Sequence, residues 1–136
     1  MITYRSGYKY QLCGSYSVQT AVHPWDTAML DDIVLHKDGN LFLPKGYAWD
    51  GPSGPSIDTK SFMRGSLVHD ALYQLMRNGV LNTRWREQAD KELRRICLED
   101  GMFAFRAWYV YRAVRLAAGP AASPDNIKPI LTAGSD

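Results

Sequence analysis

The spacing of apolar residues divides the chain into two parts. In the first half, short apolar runs and alternating positions are interrupted by glycine, proline and aspartate, which is typical of β-strands joined by turns. In the second half, apolar residues recur every three or four positions, as they do in amphipathic helices. We therefore predict an α+β fold: an N-terminal antiparallel β-sheet with hairpins, then two or three packed α-helices and an extended C-terminal tail.

The clearest strand signal is a hairpin in which residues 32–36 and 40–44 flank Lys37, Asp38 and Gly39. An Asp-Gly pair between two apolar runs favours a tight turn, because glycine accepts a positive φ without steric cost. Further strands are predicted at residues 8–12 and 16–22, with a turn between them.

Helix-capping residues delimit the second half. The first helix is predicted to begin after Asp58 or Thr59 and to end at Arg77, before Asn78 and Gly79. The second is predicted from a cap at Asn82 or Thr83 to residue 98, and the third over residues 102–117. The predicted apolar stripe of the third helix contains five residues: Phe103, Ala107, Trp108, Tyr111 and Val114.

These elements predict one domain over residues 1–118 and a tail over residues 119–136. The tail has two prolines near its start, many small residues and one short apolar run. Such a segment orders when it docks on another surface. We therefore expect this tail to contact a partner or a second copy of the chain.

Composition narrows the function classes. With 136 residues, 46% of them hydrophobic, the chain can form one core, and a net charge of +2 gives no strong electrostatic signal for nucleic acid. No run approaches the roughly 18 apolar residues of a membrane span, and residues 1–5 do not resemble a secretory signal. Two cysteines do not suggest a disulfide scaffold, so we expect free thiols and synthesis in the cytoplasm.

The candidate chemistry centres on a His-Asp pair in the first predicted helix. His69 and Tyr73 are four positions apart and therefore share one helix face, with Asp70 beside them. Because neighbouring helices with a short linker pack antiparallel, the middle of the second helix should bring Asp90 opposite His69. An aspartate that accepts from one imidazole nitrogen leaves the other nitrogen as a base.

A Gly/Pro-rich loop over residues 49–54 lies upstream of this helix. Its carbonyl groups, together with the Asp70 carboxylate, are hard oxygen ligands of the kind calcium prefers. Such a cation would polarise an ester carbonyl while His69 deprotonates a water. Each residue also has a purely structural interpretation: a hydrogen-bonded core histidine, an Asp90 that pairs with Arg86 or Arg94, and an ordinary buried Tyr73.

Besides residues 46–53 and 68–73, the sequence carries three short blocks further on: Ala89 with Asp90, Arg106 with Ala107, and residues 111–115. In their order and spacing, these blocks resemble an uncharacterised family of small proteins common in tailed bacteriophages and prophages, known as a domain of unknown function. The resemblance spans roughly residues 30–117, and many family members have Thr-Asp where this chain has Trp49 and Asp50. It implies a phage origin without an established activity.

Residues 47–94 also resemble the calcium-dependent secreted phospholipases, especially the parvoviral capsid type, which pair a Gly-rich calcium loop with His-Asp-x-x-Tyr and a later aspartate. This resemblance implies that His69 is the base and Asp70 the calcium ligand, with Tyr73 and Asp90 as supporting hydrogen-bond partners. It implies phospholipid as the substrate and calcium as the cofactor. The loop carbonyls would come from three residues: Trp49, Gly51 and Ser53.

Two functions are consistent with these patterns. The first is a phage protein with a phospholipase-like, calcium-assisted ester hydrolase site. The second is a non-catalytic virion or tail-associated protein in which the His-Asp pair fastens the loop to the helices. Virion proteins, or a second copy bound through the C-terminal tail, would then be the partners. In both cases synthesis in the host cytoplasm is expected, and the second also implies incorporation in the virion.

Overall fold

A computed structural model of the chain describes residues 2, 4–5, 10–49 and 60–124. Antiparallel strands come first and packed helices follow, so the predicted α+β fold is confirmed. The strands are β1 (Tyr4–Arg5), β2 (Tyr10–Leu12), β3 (Tyr16–Gln19), β4 (Ala28–Leu30), β5 (Ile33–Leu35), β6 (Asn40–Leu43) and β7 (Ala48–Trp49). The helices are α1 (Lys60–Arg77), α2 (Arg86–Glu99), α3 (Ala104–Ala117) and α4 (Gly119–Ala122).

The strands form two antiparallel sheets, one in the order β1-β2-β7 and the other in the order β3-β6-β5-β4. The predicted turn between residues 8–12 and 16–22 is therefore a crossing from one sheet to the other, because β2 and β3 do not pair. Strand β4 was not predicted, because it has only three residues and one buried side chain.

The predicted hairpin is β5–β6, in which Val34 pairs with Phe42 and Leu35 with Leu41. At its turn Gly39 has a φ of +93°, and an added Cβ would lie 2.2 Å from the carbonyl oxygen of Thr20. Glycine is thus required both by the backbone conformation and by the approach of the neighbouring chain. The Thr20 hydroxyl donates to the Gly39 carbonyl oxygen over 2.8 Å, which ties the end of β3 to this turn.

Helices α1 and α2 form an antiparallel pair. Gly65 faces Cys97 and His69 faces Asp90, so residue numbers rise along one helix as they fall along the other. Gly79, with a φ of +76°, lies just after α1, and the Asn82 side chain accepts from the amide of Arg84 to cap a 3₁₀ turn at Thr83–Trp85 before α2. The predicted caps Asp58 and Thr59 lie outside the described residues.

Two apolar clusters hold the elements together. The larger joins the sheets to α1 and contains, among others, Leu35, Leu41, Leu43, Leu67, Leu72 and Leu75, all fully buried. The smaller joins α1, α2 and α3 and consists of Phe62, Leu93, Cys97, Met102, Ala107 and Val110. Both cysteines are free thiols, as predicted.

Two expectations for the C-terminal part need correction. Trp108 and Phe103, placed on the apolar stripe of the third helix, are exposed, whereas Val110 is buried. Residue 119 is not the start of an extended segment, because α4 follows α3 directly and its Ala122 is buried in the larger cluster. The predicted tail lies outside the described residues from residue 125 onward. In the described ranges, no helix has the length and apolar character needed to cross a bilayer.

Candidate functional site

Helix α1 presents His69 and Tyr73 on the face that packs against α2. The two rings are one helical turn apart, with centroids 4.2 Å from each other, and both side chains are buried. Opposite them, α2 contributes Asp90, which is completely buried. The predicted meeting of three side chains from two neighbouring helices is therefore present in the fold.

The Asp90 carboxylate is the centre of the site. His69 Nε2 lies 2.7 Å from Oδ1, and the Tyr73 hydroxyl donates to the same oxygen over 2.6 Å. Arg115, from α3, donates to Oδ2 over 2.9 Å and forms an ion pair with the carboxylate. Because an ionised carboxylate only accepts hydrogen bonds, His69 carries a proton on Nε2, and in the neutral ring Nδ1 is then the basic nitrogen.

The surroundings keep Asp90 charged and Tyr73 neutral. Burial by itself raises the pKa of Asp90, but the hydrogen bonds from His69, Tyr73 and Arg115 outweigh it and lower the pKa below its ordinary value. Burial raises the pKa of Tyr73, and its hydrogen bond to the Asp90 carboxylate raises it further. The phenol therefore stays protonated and keeps donating to Asp90.

Two arginines complete the cluster, and the sequence analysis missed their roles. The alternative structural interpretation of Asp90, an ion pair with Arg86 or Arg94 on the same helix, is wrong, because the guanidinium that reaches Asp90 belongs to Arg115. Arg86 instead donates to the Tyr73 hydroxyl over 3.1 Å and to the backbone carbonyls of Val114 and Arg115 over 2.9 and 2.8 Å. The contacts that involve α3 join residues 25 to 29 positions apart, so no local spacing predicts them.

The proposed calcium loop is described only at its first residue. Trp49 ends β7, its side chain is buried, and its indole Nε1 donates to the Ser66 hydroxyl over 3.1 Å. Gly51 and Ser53 lie outside the described residues. Asp70 is half-buried on α1 beside His69.

The calcium prediction requires a set of oxygen ligands around one point. Calcium takes six to eight oxygen ligands. Across the described ranges, no three residues of the types His, Cys, Asp and Glu group as a metal site would require. Asp70 by itself is an incomplete donor set, and the Trp49 side chain serves the core. The predicted site depends on the carbonyl groups of Gly51 and Ser53, which lie outside the described residues, so calcium binding stays a prediction.

Access to His69 is narrow. The residue is 7% exposed, so a small part of its surface reaches the solvent. Two surface grooves lie elsewhere: one of about 610 Å³ beside Arg94 and Tyr111, and one of about 250 Å³ beside Trp25 and Trp85. The geometry combines an imidazole held by a buried carboxylate with a neutral phenol on the same oxygen. A carboxylate that orients an imidazole in this way is a feature of histidine general bases and also of structural hydrogen-bond networks.

No protein-family model, no curated protein and no solved structure matches this chain.

Proposed function

We propose that this protein is an ester hydrolase of the phospholipase-like type, with His69 as the general base. The observation that carries the proposal is the 2.7 Å hydrogen bond between His69 Nε2 and the buried carboxylate of Asp90. This bond fixes the tautomer and the orientation of the ring and would stabilise the imidazolium that forms in the reaction.

In the proposed reaction, His69 Nδ1 takes a proton from a water molecule as the water oxygen bonds to the ester carbonyl carbon. The carbon–oxygen bond to the leaving alcohol then breaks, and the imidazolium returns the proton to the alkoxide. Asp90 remains ionised throughout and acts as a positioning residue. Tyr73 and Arg115 hold the carboxylate in place, since they donate to its two oxygens.

Calcium and phospholipid enter this proposal only through the resemblance of residues 47–94 to the secreted phospholipases. Bound calcium would supply an electrophile for the ester carbonyl, with Asp70 as one ligand. Because the described residues do not complete that site, no step above depends on the cation. A phage origin is likewise proposed from the resemblance of residues 30–117 to the phage family.

The test is the hydrolysis of phospholipid vesicles, followed as fatty-acid release with calcium and, separately, with a chelator. We expect His69→Gln to lower turnover by about 10²- to 10⁴-fold, the usual contribution of a general base. His36→Gln is the matched control, because His36 is exposed in the turn of the β5–β6 hairpin. Loss of turnover with the chelator would support the calcium prediction, and equal turnover would contradict it.

One observation favours a second candidate, a non-catalytic virion or tail-associated protein. The cluster joins α1, α2 and α3 through Asp90, which is fully buried and accepts from three side chains. Such a network can serve as a structural lock. In that role, the wild-type protein would show no turnover and His69→Gln would lower the free energy of unfolding. Detection of the polypeptide in purified phage particles would support this candidate and its proposed virion partners.

A further inference from the structure

The outer face of α3 is apolar although it contacts no other described element. Ala107 and Val110 turn inward to the smaller cluster, whereas the opposite side of the helix is an exposed stripe. We call this side the aromatic stripe, and it consists of Phe105, Trp108, Tyr109, Arg112 and Leu116. Phe105 and Leu116 are each 78% exposed, which is unusual for large apolar side chains aligned on one helix.

The charged residues of α3, the helix of the aromatic stripe, are all positive. Residues 101–124 contain three arginines and no acidic residue. Arg115 is neutralised by Asp90, but Arg112 lies in the stripe with its guanidinium 6.0 Å from the Trp108 ring centroid. Arginine beside aromatic rings in an acid-free segment is suited to a negatively charged partner.

A basic groove borders the stripe. It lies between α2 and α3, has a volume of about 610 Å³ and is lined by Lys91, Arg94, Arg95, Leu98, Glu99 and Tyr111. Glu99 pairs with Arg95 and Arg64, so the groove has a net positive charge. The Arg94 guanidinium lies 5.9 Å from the Tyr111 ring centroid, and no carboxylate in the described part of the chain pairs with it. The groove can thus accept an anionic group next to the exposed rings.

We infer that the aromatic stripe of α3 and the adjoining basic groove dock on the surface of an anionic lipid bilayer. At 14 residues α3 is about 21 Å long, shorter than the roughly 30 Å hydrocarbon core, so it would lie in the interface rather than cross it. Phe105 and Leu116 would enter the acyl boundary, and Trp108 and Tyr109 would lie at head-group level. Arg94 and Arg112 would contact lipid phosphates.

The same charges disfavour a second copy as the occupant. Arg112 lies near the middle of the stripe, so a two-fold contact through this face would bring the two Arg112 side chains together without a carboxylate from either stripe. The inference does not rest on the proposed hydrolase, because either candidate function could use a membrane-docking face.

The test is co-sedimentation of the full chain with vesicles of ether-linked lipids, which contain no ester bond to hydrolyse. Binding is therefore measured independently of turnover. We expect binding to vesicles that contain phosphatidylglycerol, weakening with salt, and little binding to pure phosphatidylcholine. Failure of the wild type to bind the anionic vesicles would overturn the inference.

Paired variants locate the surface. The apolar double variant, Phe105→Ser with Leu116→Ser, removes two exposed apolar side chains. The charge double variant, Arg94→Gln with Arg112→Gln, removes two positive charges. Each double variant should weaken vesicle binding about tenfold. Trp25→Ser is the apolar control, because Trp25 is 83% exposed and lies outside α3. Arg84→Gln is the charge control. Its guanidinium lies over the Trp85 ring in the same way as that of Arg112 lies over Trp108. Unchanged binding in both paired variants would contradict the inference. So would a concentration-dependent dimer that the apolar pair abolishes without any vesicle binding.

Discussion

At the scale of single residues, Asp90 determines the character of the site. A completely buried carboxylate is stable only when hydrogen bonds and opposite charge replace the water it has lost. Here His69 and Tyr73 from α1 and Arg115 from α3 supply the three contacts to Asp90 on α2. The same contacts that would orient a catalytic base therefore also hold three helices together.

Replacing this carboxylate by an amide tests its contribution to stability. Asp90→Asn keeps the shape but removes the charge that Arg115 faces, so we expect the free energy of unfolding at pH 7 to fall by roughly 2–4 kcal/mol. The measurement is urea denaturation, with the exposed Asp26→Asn as control. A change equal to that of the control would show that the Asp90 charge does not stabilise the fold.

The difference in the free energy of unfolding between the wild type and Asp90→Asn should depend on pH. The folded pKa of Asp90 is lower than its ordinary value of 3.8, so its contribution is fully present above about pH 3.8 and is lost as the pH falls through the folded pKa. The stability difference between the wild type and Asp90→Asn should thus shrink as the pH falls below 4. A difference that grows below pH 4 would contradict the assigned direction of the shift.

At the scale of elements, the close approach of α1 and α2 depends on Gly65. A Cβ at this position would lie 2.8 Å from Cys97 Sγ and 3.2 Å from the backbone oxygen of Leu93. Glycine within a helix ordinarily costs about 1 kcal/mol relative to alanine, so this residue would look like a weak point in a helix taken alone. In the packed pair it lets the two helices approach closely enough for His69 to reach Asp90.

We therefore expect Gly65→Ala to destabilise the protein by about 1–2 kcal/mol, because overpacking outweighs the gain in helix propensity. Thermal unfolding measures the effect. Adding Cys97→Ala should recover part of it by removing the nearest contact, and Gly14→Ala is the control, since nothing lies within 4 Å of its added Cβ. An increase in stability for Gly65→Ala alone would contradict the close packing.

At the scale of the whole molecule, the helices differ in how many of their residues are buried against the rest of the protein. Helix α1 has twelve buried residues, whereas α3 has two and relies on polar contacts at its C-terminal end. The Arg86 guanidinium contributes much of that attachment, because it joins the Tyr73 hydroxyl to two backbone carbonyls of α3. Among the three long helices α1, α2 and α3, the one with the fewest buried residues is thus the one that presents the aromatic stripe.

Hydrogen exchange should reveal this hierarchy. In Arg86→Ala we expect amides of α3 to exchange at least tenfold faster, while the central amides of α1 change little, because local opening of α3 need not disturb the larger cluster. Arg84→Ala is the matched control from the turn before α2. Equal acceleration in α1 and α3 would mean that the three helices open as one unit.

Much of this protein could be predicted from local sequence. The Asp38-Gly39 turn required positive φ, the ends of α1 and α2 carried glycine or asparagine signals, and the four-residue spacing of His69 and Tyr73 placed both on one face. A short linker between two helices was sufficient to bring Asp90 opposite His69. These features depend on neighbours in the chain, whose geometry is fixed by backbone sterics and helix periodicity.

The tertiary structure decided what local periodicity does not encode. Both sides of α3 contain apolar residues, so the pattern could not tell that Val110 turns inward and Trp108 outward until α2 occupied one side. Arg115 reaches Asp90 from 25 positions away, and short β4 acquires its strand conformation by pairing with β5. The sequence by itself determined the elements and the His69–Asp90 pair, because both follow from short-range geometry. The faces of α3 and the arginine contacts required packing, because their partners are distant in the chain.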